Sequence, residues 1–290
     1  SADMNNTDNI HLLFDDCKIN SVELLPPDVN ESSYKFIPLT NKKILYGLGA
    51  IKGTGDSSID LILEERKNNG PYTSLFDFTL RLDLTKVNRR VVESLVRSGA
   101  FDKIEPNRSS LLASVNLAIK MAEQRKNEAG QEGLFGTSDI EAIKLVDMNP
   151  WEEKNQLLEE KAALGFYFSG HLFSYYKKII KSFISTKLID LKPRQDSYLI
   201  AGIVSSVRYR PSSRGKIAIV TIDDGEASID ALLGNKLLTQ SYNLIKDDEL
   251  IIIEGRVSVD DYSGGNRLNA IKVYDLMMFQ SLNANLLKIS

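Results

Sequence analysis

The chain has 290 residues, 42% hydrophobic and 26% charged, enough apolar content for about two packed domains. No apolar run approaches the ~18 residues of a membrane span, and the first residues carry no basic, apolar leader, so a cytoplasmic protein is expected. One cysteine, and two histidines at positions 11 and 171, exclude a disulfide framework and a multi-cysteine or histidine zinc site. The sequence does not begin with Met and is expected to be part of a longer one. In chain order, residues 1–24 show no clear period, and Pro26-Pro27 forces an extended segment. Residues 42–51 read as a short strand or turn. Gly53-Thr54-Gly55 then opens a helix carrying Ile59, Ile62 and Leu63. A second helix is predicted over 88–98, with Val91, Val92, Leu95 and Val96 on one face and Gly99 as its stop. A third runs from about 108 to 124, and 125–149 reads as a polar, exposed loop. Asn149 is expected to cap a further helix, with Pro150 in its first turn.

From Tyr198 the pattern changes to strands, over 198–207, 216–223, 227–233, 249–259 and 267–276, with Asp224-Gly225 as a hairpin turn. The amphipathic stretch 235–245 falls after the third strand. Five strands with one helix after the third is the order of an OB barrel. The fold class is therefore multidomain α + β, a mainly helical part followed by a five-stranded barrel.

The net charge of −3 argues against a nucleic-acid binder, but its distribution does not. Residues 192–220 hold six basic side chains against Asp196, while 223–261 hold ten acids against three bases, which predicts one basic and one acidic face.

Two glycines one residue apart at a helix start free backbone N–H groups for an anion. The phosphate-loop pattern is absent, and Ser58 stands where a dinucleotide fingerprint needs glycine. The remaining readings are an ordinary turn or the hairpin of a helix-hairpin-helix, which grips a DNA backbone without reading bases. Lys52, Arg89 and Arg90, with Lys86, would supply cations, unless they form a solvated face. A second hairpin, Arg97–Asp102, would pair with the first. Gln131-Glu132-Gly133-Leu134-Phe135 places an apolar pair in a polar loop, suited to a partner's pocket or to this chain's own core. Arg208, Tyr209, Arg210, Arg214 and Lys216 join the first two barrel strands, where cations would hold phosphate and the ring would stack on a base. Four acid pairs (15–16, 223–224, 247–248, 260–261) read as turn formers rather than metal ligands. Cys17 is expected to be buried and inert, and His171 to end a helix.

Taken in order, these segments resemble one family. Leu25-Pro26-Pro27-Asp28-Val29-Asn30, then Tyr46 through Gly55, Asn88-Arg89-Arg90, Ser98 through Asp102 and Leu164 through His171 together resemble the C-terminal half of bacterial replicative DNA polymerase III alpha subunits. The resemblance implies the tail of a fingers domain in 1–24, a clamp-binding domain with tandem helix-hairpin-helix in 25–185, an OB domain in 190–280 and an extension over 281–290. It implies that Gln131, Leu134 and Phe135 dock into the sliding clamp beta subunit, with Gly133 departing from the usual Asp or Ser. Lys52, Gly53, Thr54, Gly55, Arg89 and Arg90 are implied to hold duplex DNA, and Arg208, Tyr209, Arg210, Arg214 and Lys216 single-stranded DNA. Leu172 departs from the family's Pro after His171. The parent would be a magnesium-dependent nucleotidyltransferase, while this stretch carries no catalytic residue, metal site or cofactor of its own. It is expected to end short of the tail that binds the clamp-loader tau subunit. Other holoenzyme subunits are implied partners, and no membrane. A non-polymerase DNA-binding scaffold, a hydrolase using the acid pairs, and an error-prone alpha paralogue remain as alternatives.

Overall fold

The computed structural model describes residues 7–129, 144–213, 215–260 and 264–287. It divides into two compact units, Ser1–Ser169 and Gly170–Ser290. The segment 25–185, expected from the sequence as one domain, spans that division.

In the first unit, α1 (Thr7–Ile19) precedes a small sheet of β1 (Glu23–Leu25), β2 (Ile37–Thr40) and β3 (Lys43–Leu45), ordered β1-β3-β2. A 3-10 turn, Leu48–Ala50, leads into α2 (Asp56–Asn69), α3 (Leu75–Arg81), α4 (Arg89–Arg97), α5 (Arg108–Ala129) and α6 (Glu153–Leu164). The helical periodicity is realised: Ile59, Ile62, Val91, Val92, Leu95, Val96, Leu111, Val115 and Ala118 join one buried core. Leu25–Asn30 is scaffold. Asp28 accepts from the backbone N–H groups of Asn30 and Glu31 at 2.7 and 3.0 Å, and Asn30 exchanges two hydrogen bonds with the Tyr72 backbone.

Three sequence expectations are corrected here. First, α6 starts at Glu153 rather than at Asn149, because 144–150 is held extended along α5. Ser114 accepts from Val146 N–H at 2.8 Å, Ser110 accepts from Met148 N–H at 3.1 Å, and Ser109 donates to the Asn149 carbonyl at 2.6 Å. Second, α1 forms where the sequence shows no clear period, and α3 forms in a stretch to which apolar spacing assigns no element. Yet α3 has a sequence signature, since Ser74 accepts from Asp77 N–H at 3.0 Å while Asp77 accepts from Thr73 N–H at 3.0 Å. Third, Cys17 is half-buried rather than buried. Burial and the neighbouring Asp16 push its thiol pKa up, which keeps it protonated.

In the second unit, α7 (Leu172–Ile180) and a 3-10 turn, Leu188–Asp190, precede a closed barrel. His171 caps the start of α7, accepting from Phe173 N–H at 3.2 Å, and Leu172 is fully buried. The barrel consists of β4 (Tyr198–Ser212), β5 (Gly215–Asp223), β6 (Ser228–Leu233), β7 (Leu250–Val259) and β8 (Asn266–Tyr274), ordered β4-β5-β6-β8-β7. Among the described residues of the barrel, only the β6–β8 pair is parallel. The α8 helix (Asn235–Ser241) follows β6, as the OB order requires, and α9 (Leu276–Leu287) follows β8. Alternate residues of β5 and β6, among them Val220, Ile222, Ala231 and Leu233, fill the interior with Ile251, Ile253 and Leu268.

Candidate nucleic-acid interface

Two places in the molecule gather the cations singled out from the sequence, one in each unit. The first is built around the turn before α2. Gly53 and Gly55 take φ of +81° and +69°, the left-handed region that only glycine enters without strain. Thr54 is turned inward, its hydroxyl donating to the Ile51 carbonyl at 2.8 Å, so its side chain ties the turn rather than facing a ligand. Lys52 N–H donates to the Ala163 carbonyl at 2.8 Å, which anchors the turn to the end of α6 and leaves the lysine side chain exposed.

The α2 helix begins at Gly55 with no side-chain cap, so its first N–H groups are not taken by a capping oxygen. The Ser58 hydroxyl donates to the Lys86 carbonyl at 2.8 Å, which draws the start of α4 beside it. A side chain on Gly53 would sit 3.1 Å from Arg90 Nε. Lys52, Gly53, Gly55 and Arg90 therefore lie on one surface with Lys86. Among the described residues, Lys52, Lys86 and Arg90 form no ion pair, whereas Arg89 is paired with Glu93 at 2.6 Å. The α4 start is itself occupied, since Asn88 accepts from Arg90 and Val91 N–H. One helix start thus offers backbone donors and the other offers a guanidinium. Asp56, in the first turn of α2, accepts from the Tyr34 phenol at 2.5 Å.

The second hairpin does not form a twin of the first. Ser98, Gly99, Ala100 and Phe101 are buried, so they cannot face a phosphate. Gly99 has φ of +84°, and a side chain there would collide with the Arg108 guanidinium. Arg108 is 8% exposed and pairs with Asp102 at 2.6 Å and with Glu160, 1% exposed, at 3.0 Å. Desolvation would lower the Arg108 pKa, but Asp102 and Glu160 outweigh it and hold it raised. The other oxygen of Glu160 accepts from Phe168 and Ser169 N–H at 3.1 and 2.8 Å. This hairpin is a buried fastening. Arg97, at its start, pairs with Glu159.

In the barrel, Arg208 to Ser212 and Gly215 to Lys216 are strand rather than loop. The strands β4 and β5 stay paired through Ser212 and Gly215. Strand alternation then splits the expected cluster. Arg208 lies opposite Ile219 and Arg210 opposite Ile217 on one face, while Tyr209 lies opposite Ala218 on the other. Lys216 joins Tyr209, its ammonium 4.1 Å over the ring. Tyr242, in the segment after α8, lies 6.4 Å from Tyr209, tilted 30°; the amphipathic pattern of 235–245 counts it with the apolar residues, yet it is exposed. Burial, with Tyr242 beside it, pushes the Tyr209 pKa up. Tyr209, Lys216, Asn235, Tyr242 and Asn243 border an open groove of about 420 Å³.

The expected basic and acidic stretches meet at one point in the barrel. Arg208 pairs with Asp230 at 2.6 Å, and Asp230 also accepts from Thr221 at 2.6 Å. Arg267 pairs with Asp260 at 2.6 Å. Gln131, Leu134, Phe135, Gly133 and Arg214 lie outside the described residues. The acid pair at 223–224 acts in a turn: Asp223 accepts from Gly225 N–H at 2.6 Å, and Asp224 from Glu226 and Ala227 N–H at 3.0 and 2.9 Å. Among the described residues, no three His, Cys, Asp or Glu side chains gather as a metal site. Among them, too, no helix is long and apolar enough to cross a membrane.

Comparison with known proteins agrees with both regions. Residues 21–111 match a helix-hairpin-helix motif, and 198–276 an OB-fold nucleic acid binding domain. The chain is 44% identical over 273 residues to the DNA polymerase III alpha subunit of Neisseria meningitidis serogroup B, covering 93% of this chain and 24% of that protein. The alpha subunits of Vibrio cholerae and Escherichia coli are 38% and 37% identical, each over 95% of this chain and 25% of their own length. The chain spans about a quarter of the length of the curated relatives it matches. Two domain matches in the right order, with sustained identity along nearly the whole chain, show that this chain is related along its length to about a quarter of each of those DNA polymerase III alpha subunits.

Proposed function

We propose that this chain holds DNA and the sliding clamp for a replicative DNA polymerase, and that it does so without catalytic residues of its own. The observation that carries the reading is the uncapped start of α2 beside Arg90, with Gly53 between them. Backbone N–H groups and cations on one glycine-lined surface suit consecutive phosphates of duplex DNA and carry no sequence preference. Lys52, Gly53, Gly55 and Arg90 are its contacts, with Thr54 contributing only its backbone and Arg89 contributing less because Glu93 neutralises it.

The barrel is assigned to single-stranded template. Arg210 on one face, with Tyr209 and Lys216 on the other, lets a strand be gripped along either side of the β4–β5 hairpin. The peptide Gln131–Phe135 is assigned to the clamp. A peptide of modest affinity suffices there, because a ring on the same duplex raises its effective concentration. The magnesium-dependent nucleotidyl transfer of the whole enzyme is assigned to carboxylates of its other domains.

Calorimetry of the full chain with its own sliding clamp tests the tether. Leu134→Ala with Phe135→Ala is expected to abolish saturable binding and leave duplex binding intact; unchanged clamp affinity would refute the peptide assignment. Arg90→Ala with Lys52→Ala is expected to reduce the slope of log affinity for duplex against log salt by ~2, at ~0.9 for each phosphate no longer neutralised. An unchanged slope would remove the α2 surface from the DNA interface.

A further inference from the structure

We infer that α7 and the turn after it form a second phosphate-binding track, which carries a single nucleic-acid strand beyond the barrel. This rests on the reading that the barrel binds single-stranded nucleic acid. Residues 170–187 contain Lys177, Lys178, Lys181 and Lys187 and no acid. Lys178 and Lys181 are exposed and form no ion pair among the described residues. Positions 175, 178 and 181 recur every three residues, which places Tyr175 and both lysines on one side of the helix end. Tyr175 is 39% exposed and stands edge-on to Tyr176 at 5.1 Å.

Beside this surface lies a hollow of about 280 Å³, lined in part by Lys177, Lys181, Ser185, Thr186 and Lys187. Its lining shows what it accepts. The Glu226 carboxylate, part of that lining and carried by the turn after β5, has Lys187 at 2.8 Å and Lys177 at 3.4 Å. These two lysines hold its pKa below the usual carboxylate range. Two ammonium groups already converge on one pair of anionic oxygens, and a phosphodiester presents the same pair. The other acid of the hollow, Asp224, is engaged by the backbone: it accepts from Leu188, Glu226 and Ala227 N–H at 3.0, 3.0 and 2.9 Å.

The chemistry favours a nucleic-acid strand over an acidic peptide, because exposed aromatic rings interleave with the lysines, as in stacking platforms for single strands. The location is also distinct from the basic hairpin. Lys216 stands near one end of β5 and Glu226 follows the other, about 24 Å away at ~3.4 Å per strand residue. A strand of about 3 nucleotides on the hairpin, below the site size of an OB fold, cannot reach α7, whereas a longer one can.

The test is fluorescence anisotropy of the full chain with labelled oligothymidylates of about 3 and about 24 nucleotides, bracketing the site sizes of single OB folds. Lys178→Ala with Lys181→Ala is expected to lower affinity for the long oligonucleotide about tenfold and to flatten its salt slope by ~1.4, at ~0.7 per phosphate. The short oligonucleotide should bind as before. Glu226→Gln releases Lys177 and Lys187, and is expected to raise long-oligonucleotide affinity, a gain that no purely structural role produces. Unchanged long-strand affinity and slope in the double lysine variant would overturn the track, as would a loss of affinity in Glu226→Gln. A drop in melting temperature alone would reduce the lysines to partners of the helix dipole and overturn it likewise. Stabilisation by inorganic phosphate with no effect on the long strand would mark a free-anion site and overturn the strand assignment. The barrel reading fails separately: Arg210→Ala with Lys216→Ala would then leave the short oligonucleotide bound as tightly as before.

Discussion

The two basic regions read alike in the sequence and differ in the fold. Around α2 and α4, glycine turns and helix starts gather Lys52, Lys86 and Arg90 on one surface, with no ion pair to them among the described residues. Along the β4–β5 hairpin, a denser basic run is divided by strand alternation, and Arg208 is neutralised by Asp230 of β6. The difference lies in what each backbone does with adjacent residues. A turn between helices presents backbone donors and neighbouring side chains to one side, while a strand sends successive side chains to opposite faces. A count of basic residues in sequence therefore overstates the cationic surface on a strand and is a fairer guide at a helix start.

The contrast can be broken at several points. The largest effect is expected from Glu160→Ala, which removes the acceptor of Arg108, Phe168 and Ser169 and leaves a buried guanidinium short of one partner. Such a change costs about 3–5 kcal/mol. Chemical denaturation should show the helical unit destabilised by that amount, with binding of short single strands to the barrel retained. If both activities fell together, the two regions would not be energetically separate.

Next comes Gly53→Ala. It puts a side chain at φ of +81° and 3.1 Å from Arg90, costing about 1–2 kcal/mol and pushing the guanidinium aside. Duplex affinity should fall more than stability accounts for, as read by titration at fixed salt against the denaturation midpoint.

A smaller effect sharpens the comparison on the barrel side. Arg208→Ala should change single-strand affinity little, because that cation is already paired, whereas Asp230→Asn should raise it by freeing Arg208. The expected gain corresponds to one more phosphate held, about 0.7 in salt slope. A larger loss from Arg208→Ala than from Arg210→Ala would show that the ion pair opens on binding.

The smallest effect is with pH. Glu226 is exposed, and Lys187 and Lys177 hold its folded pKa below the unfolded value. The stability it adds is present above about pH 4.3 and is lost as pH falls through the depressed value. Melting scans between pH 7 and pH 3 should show a slightly steeper acid loss for the wild type than for Glu226→Gln.

Much of this protein is legible in the order of its residues. Hydrophobic spacing locates α2, α4 and α5, and period-two alternation locates all five barrel strands with the helix after the third, because both patterns record which face meets the core. The glycines at 53, 55 and 99 mark left-handed turns, which few other residues tolerate. Only the tertiary structure decides what those turns face. Gly99 and its neighbours are sealed by Arg108 and Glu160, residues 9 and 61 positions further on, and no local pattern announces a buried ion pair between distant helices. The same holds for Asn149: a good cap by residue type, it gives its carbonyl to Ser109 because a run of serines on α5 holds that segment extended. Pairings such as Arg208 with Asp230 and Glu226 with Lys187 depend on strand register and chain return. Sequence determines the elements through their local periodicity; which charges remain free for a ligand is settled by contacts between residues far apart in the chain.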